Sequence, residues 1–160
     1  MGILRIAAVL EKQGYYVEVL DLSGIENFED VIYQHVNTTD CDIYGITVTT
    51  PQLPAAVKIA KIIKTNSELG IILGGPHITL TNAAVKVEMK RNITNGRAHK
   101  EFARLGREFT YLIAGDGEYA ILEFLKETSV KFIDADIPNS DLFLKDKDLE
   151  ELPFPARYLI

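Results

Sequence analysis

Residues 71–76 read Ile-Ile-Leu-Gly-Gly-Pro, and this short stretch decides the fold. Three apolar residues in a row, two of them β-branched, predict a strand buried on both faces, as strands of parallel sheets are. The two glycines and the proline after them end this strand and open a turn toward a helix.

The same order, a strand and then a turn and a helix, recurs along the chain. Further strands are predicted at residues 15–21, 43–48 and 111–114. Apolar residues at helical spacing predict helices at 3–13, 26–36, 81–90 and 118–126, one through 56–63, and a surface helix within 92–106. Gly14 follows the first helix as a C′ residue, and Ser23 with Glu26 fits a capping box for the second. This alternation predicts an α/β protein with a doubly wound, mainly parallel sheet of the Rossmann-like or flavodoxin-like kind.

The periodicity fades after Thr128, and Pro138, Pro153 and Pro155 interrupt the remaining stretch of chain. We therefore expect one α/β domain over residues 1–130 and an extended linker or tail over 131–160.

Charge and cysteine content exclude several classes of function. The chain has 160 residues, 17 basic and 23 acidic side chains and a net charge of −6, and no basic cluster suited to nucleic acid. The basic residues within 86–107 are interpreted as a solvated helix face. A single cysteine, Cys41, excludes an intrachain disulfide, an iron–sulfur cluster and a structural zinc site held by this chain's thiolates. No stretch predicts a membrane span or a signal peptide, so a cytoplasmic protein is expected.

Ligands of such sheets bind beyond the carboxyl ends of the strands, which directs attention to three loops. These loops are residues 47–52, 74–79 and 115–118. Each follows a predicted buried strand and opens a helix, so helix N-terminal amides point toward whatever binds there.

Each loop also has a purely structural interpretation. The hydroxyls and amide of residues 47–52 suit a ligand with ribose and phosphate groups, but Thr49 or Thr50 could equally cap a helix. The two glycines at 74 and 75 allow close approach of a ligand or simply a tight turn. His77 is expected to be structural, since no second metal ligand lies at suitable spacing. Asp116 is either a ligand contact or a helix cap. No G-x-G-x-x-G, P-loop or catalytic nucleophile stands out, so we predict no catalytic residue and no metal ligand.

Taken in order, these motifs resemble the N-terminal cobalamin-binding domain of radical S-adenosylmethionine enzymes. Residues 4–14 and 17–21 are similar to its opening helix and the strand after it. Residues 45–52, 74–77 and 115–118 are similar to its ligand loops. Residues 148–157, Asp-Leu-Glu-Glu-Leu-Pro-Phe-Pro-Ala-Arg, are similar to the linker before its catalytic barrel.

The resemblance implies cobalamin held at the carboxyl end of the sheet, with its nucleotide tail in a slot and its corrin facing a catalytic domain. It implies methyl transfer or another radical step in the whole enzyme, with a 4Fe-4S cluster and S-adenosylmethionine bound only in the barrel. The sequence is also compatible with a homodimer. The implied cofactor-binding residues are Thr47, Thr49, Thr50, Gln52, Gly74, Gly75, Pro76, His77, Gly115, Asp116, Gly117 and Glu118.

The sequence departs from this family in three ways. The C-x-x-x-C-x-x-C cluster motif and the barrel are absent, so this chain alone is not expected to be an enzyme. The usual first strand before the opening helix is absent, which would leave backbone edges unpaired unless strands 15–21 and 43–48 close up or a partner chain fills the gap. The D-x-H-x-x-G motif of cobalamin mutases is absent, so bound cobalamin should be base-off with no protein histidine on cobalt. The alternatives are a truncated or degenerate domain that no longer binds cobalamin, acting as a structural or interaction module, and a flavodoxin-like or receiver-type module.

Overall fold

The structure is a computed structural model that describes residues 2–126 and 129–160. Helices and strands alternate through most of this range, and no described helix has the length and apolar character needed to cross a bilayer. The elements are α1 (Gly2–Lys12), α2 (Phe28–Val36), β1 (Ile43–Thr47), α3 (Leu53–Asn66), β2 (Gly70–Gly74), α4 (Pro76–Lys90), α5 (Arg97–Glu108), β3 (Tyr111–Ala114), α6 (Gly117–Lys126), β4 (Phe132–Asp134) and α7 (Asp146–Glu151).

The strands form one four-stranded sheet in the order β1-β2-β3-β4, and every neighbouring pair is parallel. β2 lies opposite β1 along its whole length, from Ile43 against Gly70 to Thr47 against Gly74. Each of the first three strands is followed by a helix or a helical turn, so these strand ends and their helix-opening loops meet at one edge. The predicted α/β class with a parallel sheet is confirmed.

Alternate residues of the central strands bury their side chains on opposite faces of the sheet. Ile71 and Leu73 belong to a core cluster that includes Ala60 of α3 and Leu105 of α5. Ile72 packs on the other face, in a cluster that includes residues of α6 and side chains of α1. Helices therefore cover both faces, which explains why β2 is an unbroken apolar run.

The predicted strand at residues 15–21 is wrong, because these residues belong to no strand of the structure. β-Branched and aromatic residues favour a strand only where a neighbouring strand accepts their backbone hydrogen bonds. β1 was expected to be buried on both faces, but it lies at the edge of the sheet, with Gly45 and Thr47 exposed. Within the described residues, no strand pairs with β1 on the side away from β2.

Two helix starts also differ from the prediction. The expected capping box of Ser23 and Glu26 is not formed; the N–H of Ser23 donates to Asp21 Oδ1 over 3.0 Å, and α2 begins at Phe28. Helix α4 begins at Pro76, five residues before the predicted start, because proline presets the φ angle of a first helical residue. Gly14 has a φ of +86°, as predicted for a C′ glycine.

The chain beyond residue 128 packs more closely than expected of a tail. β4 pairs with β3, and Ile133 and Ala135 are buried, so the sheet extends past the predicted boundary at residue 130. Farther on, the N–H of Ala156 donates to the carbonyl of Leu4 over 2.9 Å. The side chain of Ala156 is buried beside residues of α1, which fixes this end of the chain against its own first helix.

Candidate functional site at the carboxyl edge of the sheet

The first two predicted ligand loops are joined by main-chain hydrogen bonds. The N–H of Val48 donates to the Gly74 carbonyl over 3.2 Å, and the N–H of His77 donates to the Val48 carbonyl over 3.1 Å. Val48 is buried between them, while Thr47 is exposed. The end of β1 and the start of α4 therefore form one continuous surface at this edge.

Gly75 allows this close approach of the two loops. Its φ is +95°, a backbone conformation that side chains with a Cβ rarely adopt. A Cβ at this position would lie 2.5 Å from Thr47 Oγ1 and 2.8 Å from the Val48 nitrogen. Gly75 thus packs backbone against backbone, whereas a Cβ at its neighbour Gly74 would be 4.0 Å from the nearest atom, the Ile113 carbonyl oxygen. Of the two, Gly74 has the free space beside it.

The third loop is attached to the second through Thr79. Its hydroxyl accepts a hydrogen bond from the Gly115 N–H over 2.9 Å and donates to the Gly75 carbonyl over 3.1 Å. Thr79 lay within the predicted loop but was not singled out as a site residue, because one threonine in a helix has no distinguishing pattern. The structure brings all three predicted loops together.

A fourth segment, residues 134–136, completes this edge and was missed by the sequence analysis. A Cβ at Gly115 would lie 2.6 Å from the Asp136 nitrogen, so the two segments touch. Lys86 of α4 forms an ion pair with Asp134 over 2.8 Å and donates to the Asp136 carbonyl over 3.3 Å. The three-residue strand that carries Asp134 is too short to show an alternation of apolar and polar residues in the sequence.

Residues 49–52 form a short 3-10 helix and its cap. The N–H of Thr49 donates to Gln52 Oε1 over 2.9 Å, and the hydroxyl of Thr49 donates to the same oxygen over 2.8 Å. The side-chain oxygen of Gln52 thus accepts both hydrogen bonds that Thr49 donates across the first turn, as in a capping box. Thr50 and Pro76 are also exposed at this edge, so groups of both helix starts face the solvent.

His77 is buried, with 9% of its surface exposed, and points back into the protein. Its Nδ1 lies 3.1 Å from Thr50 Oγ1, and its Nε2 lies 3.5 Å from Glu101 Oε1 of α5. The other two histidines also contact carboxylates: His35 Nε2 lies 2.6 Å from Glu18, and His99 Nδ1 contacts Glu88. Among the described residues, no group of three His, Cys, Asp or Glu side chains is arranged to hold a metal ion.

Glu118 is a buried carboxyl in the first turn of α6, 7% exposed. Burial raises the pKa of Glu118, and the nearby Asp116 carboxylate raises it further, against the opposing effect of Arg5. Asp116 is exposed, whereas a Cβ at Gly117 would lie 2.6 Å from Ile6 Cδ1 of α1. Of the third loop, Asp116 therefore faces the solvent, while Gly117 and Glu118 pack against the protein.

A groove of about 560 Å³ lies elsewhere, between residues 15–20, His35 and the Tyr158–Leu159 segment. None of the predicted cofactor-binding residues lines it. The candidate site at the carboxyl edge is an open surface of four joined segments.

A parallel α/β sheet with exposed, helix-opening loops at its carboxyl edge defines a ligand-binding α/β domain. The chain belongs to the B12-binding domain family, whose model matches residues 1–90. The predicted likeness to a cobalamin-binding domain is confirmed.

Two further similarities concern single proteins. An uncharacterized methyltransferase of Pyrococcus horikoshii is 32% identical over 83 residues, which are 51% of this chain and 18% of that protein. The chain thus matches less than a fifth of this curated relative. The crystal structure of the N-terminal domain of a hypothetical protein from Thermotoga maritima is 21% identical, with a TM-score of 0.47, and covers 82% of this chain and 88% of that one.

The donor set at this edge fits cobalamin. The nucleotide tail and amide-bearing corrin of cobalamin are rich in groups that pair with hydroxyls, which the exposed Thr47 and Thr50 carry at this edge. Among the described residues, no histidine at this edge directs an unpaired ring nitrogen toward the solvent. His77 is buried, and its Nδ1 contacts the Thr50 hydroxyl.

Proposed function

We propose that this chain is the cobalamin-holding domain of a larger methyltransferase-type radical S-adenosylmethionine enzyme. The observation that carries this proposal is the joining of three helix-opening loops at the carboxyl edge, in a chain of the B12-binding family. The methyltransferase name of the Pyrococcus relative supports the reaction class. Bound cobalamin would supply an alkyl-carrying cobalt, and the barrel would supply the 4Fe-4S cluster and S-adenosylmethionine.

In this proposal the exposed part of the carboxyl edge contacts the ligand. Thr47, Thr50 and the open space at Gly74 line the tail slot, with Thr49 and Gln52 fixing its rim. Asp116 bounds the far side. Gly75, Gly117 and Glu118 support the loops from beneath, because their neighbours are protein atoms rather than solvent.

Cobalamin is proposed to bind base-off, without a protein histidine on cobalt. His77 is the histidine of the predicted loops, and its Nδ1 is occupied by Thr50 while its Nε2 faces Glu101. A ring nitrogen needs a free lone pair directed at the metal to ligate it. Residues after β4, which end in the segment anchored on α1, would lead toward the barrel.

Titration of the purified chain with hydroxocobalamin tests the proposal, with absorption spectra and heat followed together. Saturable binding with a base-off spectrum is expected, and an EPR spectrum of the cob(II)alamin form should lack nitrogen splitting from histidine. Thr50→Val should weaken binding by about threefold to tenfold, the worth of one hydrogen bond, while Thr50→Ser should not.

Thr65→Val is the matched control, because Thr65 is an exposed threonine whose hydroxyl bonds within α3, near the end of that helix. It should bind like the original chain. Histidine splitting in the EPR spectrum would contradict the base-off proposal, and equal loss of affinity in both valine variants would contradict the placement of the site.

The second candidate is a domain that no longer binds cobalamin and serves as a structural or interaction module. The observation that favours it is the open edge of β1, beside which residues 15–21 form no strand. This candidate predicts no saturable heat or spectral change with hydroxocobalamin from a chain that is shown to be folded. A homodimer would belong to this candidate as well and is checked by sedimentation.

A further inference from the structure

We infer that Glu101 is a positioning residue that acts through His77 to fix the direction of the Thr50 hydroxyl. The three side chains come from α5, from the first turn of α4 and from the 3-10 helix at the carboxyl edge. Thr50 Oγ1 lies 3.1 Å from His77 Nδ1, and His77 Nε2 lies 3.5 Å from Glu101 Oε1. The row runs from the exposed Thr50, through the buried His77, to the partly buried Glu101 of α5.

The imidazole in the middle of this row is buried. His77 is 9% exposed, and its Nε2 has no hydrogen bond of ordinary geometry with any residue that the structure describes. A buried ring N–H without a partner is costly, so the carboxylate at 3.5 Å is the group available to it. Thr50 is exposed, so its hydroxyl is the end of the row that a ligand can reach.

Glu101 is held in its ionised form at the other end. Arg104 donates through Nε to Oε2 over 2.9 Å and through Nη2 to Oε1 over 2.6 Å. The Arg104 guanidinium, more than the neighbouring His77, holds the pKa of the Glu101 carboxyl below its usual range. A carboxylate in this form only accepts hydrogen bonds.

The chemistry of imidazole then sets the direction of each hydrogen bond. Neutral histidine carries one N–H, and the nitrogen that faces a carboxylate is the one that keeps it. With the proton on Nε2, Nδ1 is an acceptor, and the Thr50 hydroxyl donates to it. The lone pairs of Thr50 Oγ1 are left for the ligand, so this position selects a hydrogen-bond donor such as an amide N–H or a hydroxyl.

The inference depends on the proposed cobalamin site only for the identity of that ligand. The tautomer itself is measured without ligand, by ¹⁵N shifts of the His77 ring in the labelled chain. We expect a pyrrole-type shift on Nε2 and a pyridine-type shift on Nδ1. The reverse assignment in the unaltered chain would overturn the inference, whatever the result of the cobalamin titration.

Variants of the carboxylate test the cause. Glu101→Met should shift the proton toward Nδ1 or average the two shifts, while Arg104→Met, which removes only the partner of Glu101, should leave the Nε2 proton in place. Unchanged shifts in Glu101→Met would show that Glu101 does not set the tautomer and would also overturn the inference.

Ligand affinity gives the second readout. Glu101→Met should weaken hydroxocobalamin binding by about threefold to tenfold, because the Thr50 hydroxyl loses its fixed direction. In a Thr50→Val background the same change should have no further effect, since coupled residues are not additive. Additive losses in the double variant would contradict the link through His77, even if cobalamin binds.

Discussion

The Gly115 N–H donates to Thr79 Oγ1 over 2.9 Å, and this contact fastens the end of β3 to the first turns of α4. Thr79 is isosteric with valine, which cannot accept the bond. Thr79→Val should therefore leave the half-buried Gly115 N–H unpaired and lower the free energy of unfolding by about 1–3 kcal/mol. Urea unfolding measures this loss, and Thr79→Ser, which keeps the hydroxyl, should recover most of it. Equal stability of the valine and serine variants would contradict this role.

Substitution of Gly75 tests the close approach of the first two loops. Gly75→Ala forces a Cβ against Thr47 Oγ1 in a backbone conformation with φ of +95°, and should cost at least about 2 kcal/mol. Gly106→Ala is the matched control, because Gly106 lies in α5 with nothing within 4 Å of its Cβ position. That change should stabilise the chain by about 0.5–1 kcal/mol. Thermal unfolding of both variants decides between these outcomes.

Glu88 of α4 caps the start of α5. Its carboxylate accepts from the N–H groups of Ala98, over 3.0 Å, and His99, over 3.1 Å. These contacts, the Ala98 N–H first, hold the pKa of Glu88 below its usual range. A group whose pKa is lowered by folding adds stability above its ordinary pKa and loses it as the pH falls through the lowered value. Melting temperatures between about pH 2 and 7 should therefore fall less steeply on acidification in Glu88→Gln, and parallel curves for the two chains would contradict this.

The pH dependence of stability expected from Glu118 has the opposite sign to that from Glu88. Because burial raises its pKa, the folded chain keeps the Glu118 proton to a higher pH than the unfolded chain does. Its contribution to stability is present below the ordinary pKa of a glutamic acid and is lost as the pH rises through the raised value. Glu118→Gln should remove this loss, so that the variant gains stability relative to the original chain between about pH 4 and 8.

Glu123→Gln is the control for Glu118. Glu123 lies on the same helix, is half exposed and pairs with Lys126 over 3.1 Å. Because its side chain is half exposed, this change should alter stability by no more than about 0.5 kcal/mol. A Glu118→Gln curve that is parallel to that of the original chain would show that burial does not disturb this carboxyl.

The contact between the C-terminal segment and α1 is tested by overpacking. Ala156 is fully buried beside Ala7 and Ala8, so Ala156→Leu should cost about 1–3 kcal/mol. Phe154→Ala, two residues earlier, should change stability by no more than about 0.5 kcal/mol, because 94% of Phe154 is exposed. A larger effect at Phe154 than at Ala156 in the isolated chain would contradict this packing.

The order of helices and buried strands could be predicted from the sequence because most segments keep one period throughout. β2 and β3 are short apolar runs between turn residues, and α1 and α3 carry small and branched residues at helical spacing. Residues 15–21 could not be predicted in this way. Their composition is that of a strand, but strand formation needs a partner, and no local pattern reports whether one is present.

The edge that carries the candidate site was predictable, but the connections within it were not. Three strand-to-helix loops in a parallel sheet must meet at one edge, so their glycines and threonines could be named in advance. Glu101 lies 24 positions after His77 on a different helix, and only the packing of α5 on α4 brings the two together. A proline after two glycines is typical both of a turn and of a first helical residue, and in the structure Pro76 begins α4.

The hydrogen bond between Ala156 and Leu4 places the first helix and the last segment side by side. Chains whose ends lie close together tolerate being cut elsewhere and rejoined, provided that the new break falls in an exposed turn. Residues 92–95, between α4 and α5, are such a turn. A circular permutant of this domain opened there, with residue 160 linked to residue 2 by a polar linker, should keep the strand order β1-β2-β3-β4. Folding of such a permutant would show that the order in which these elements are synthesised is separable from the arrangement that they reach.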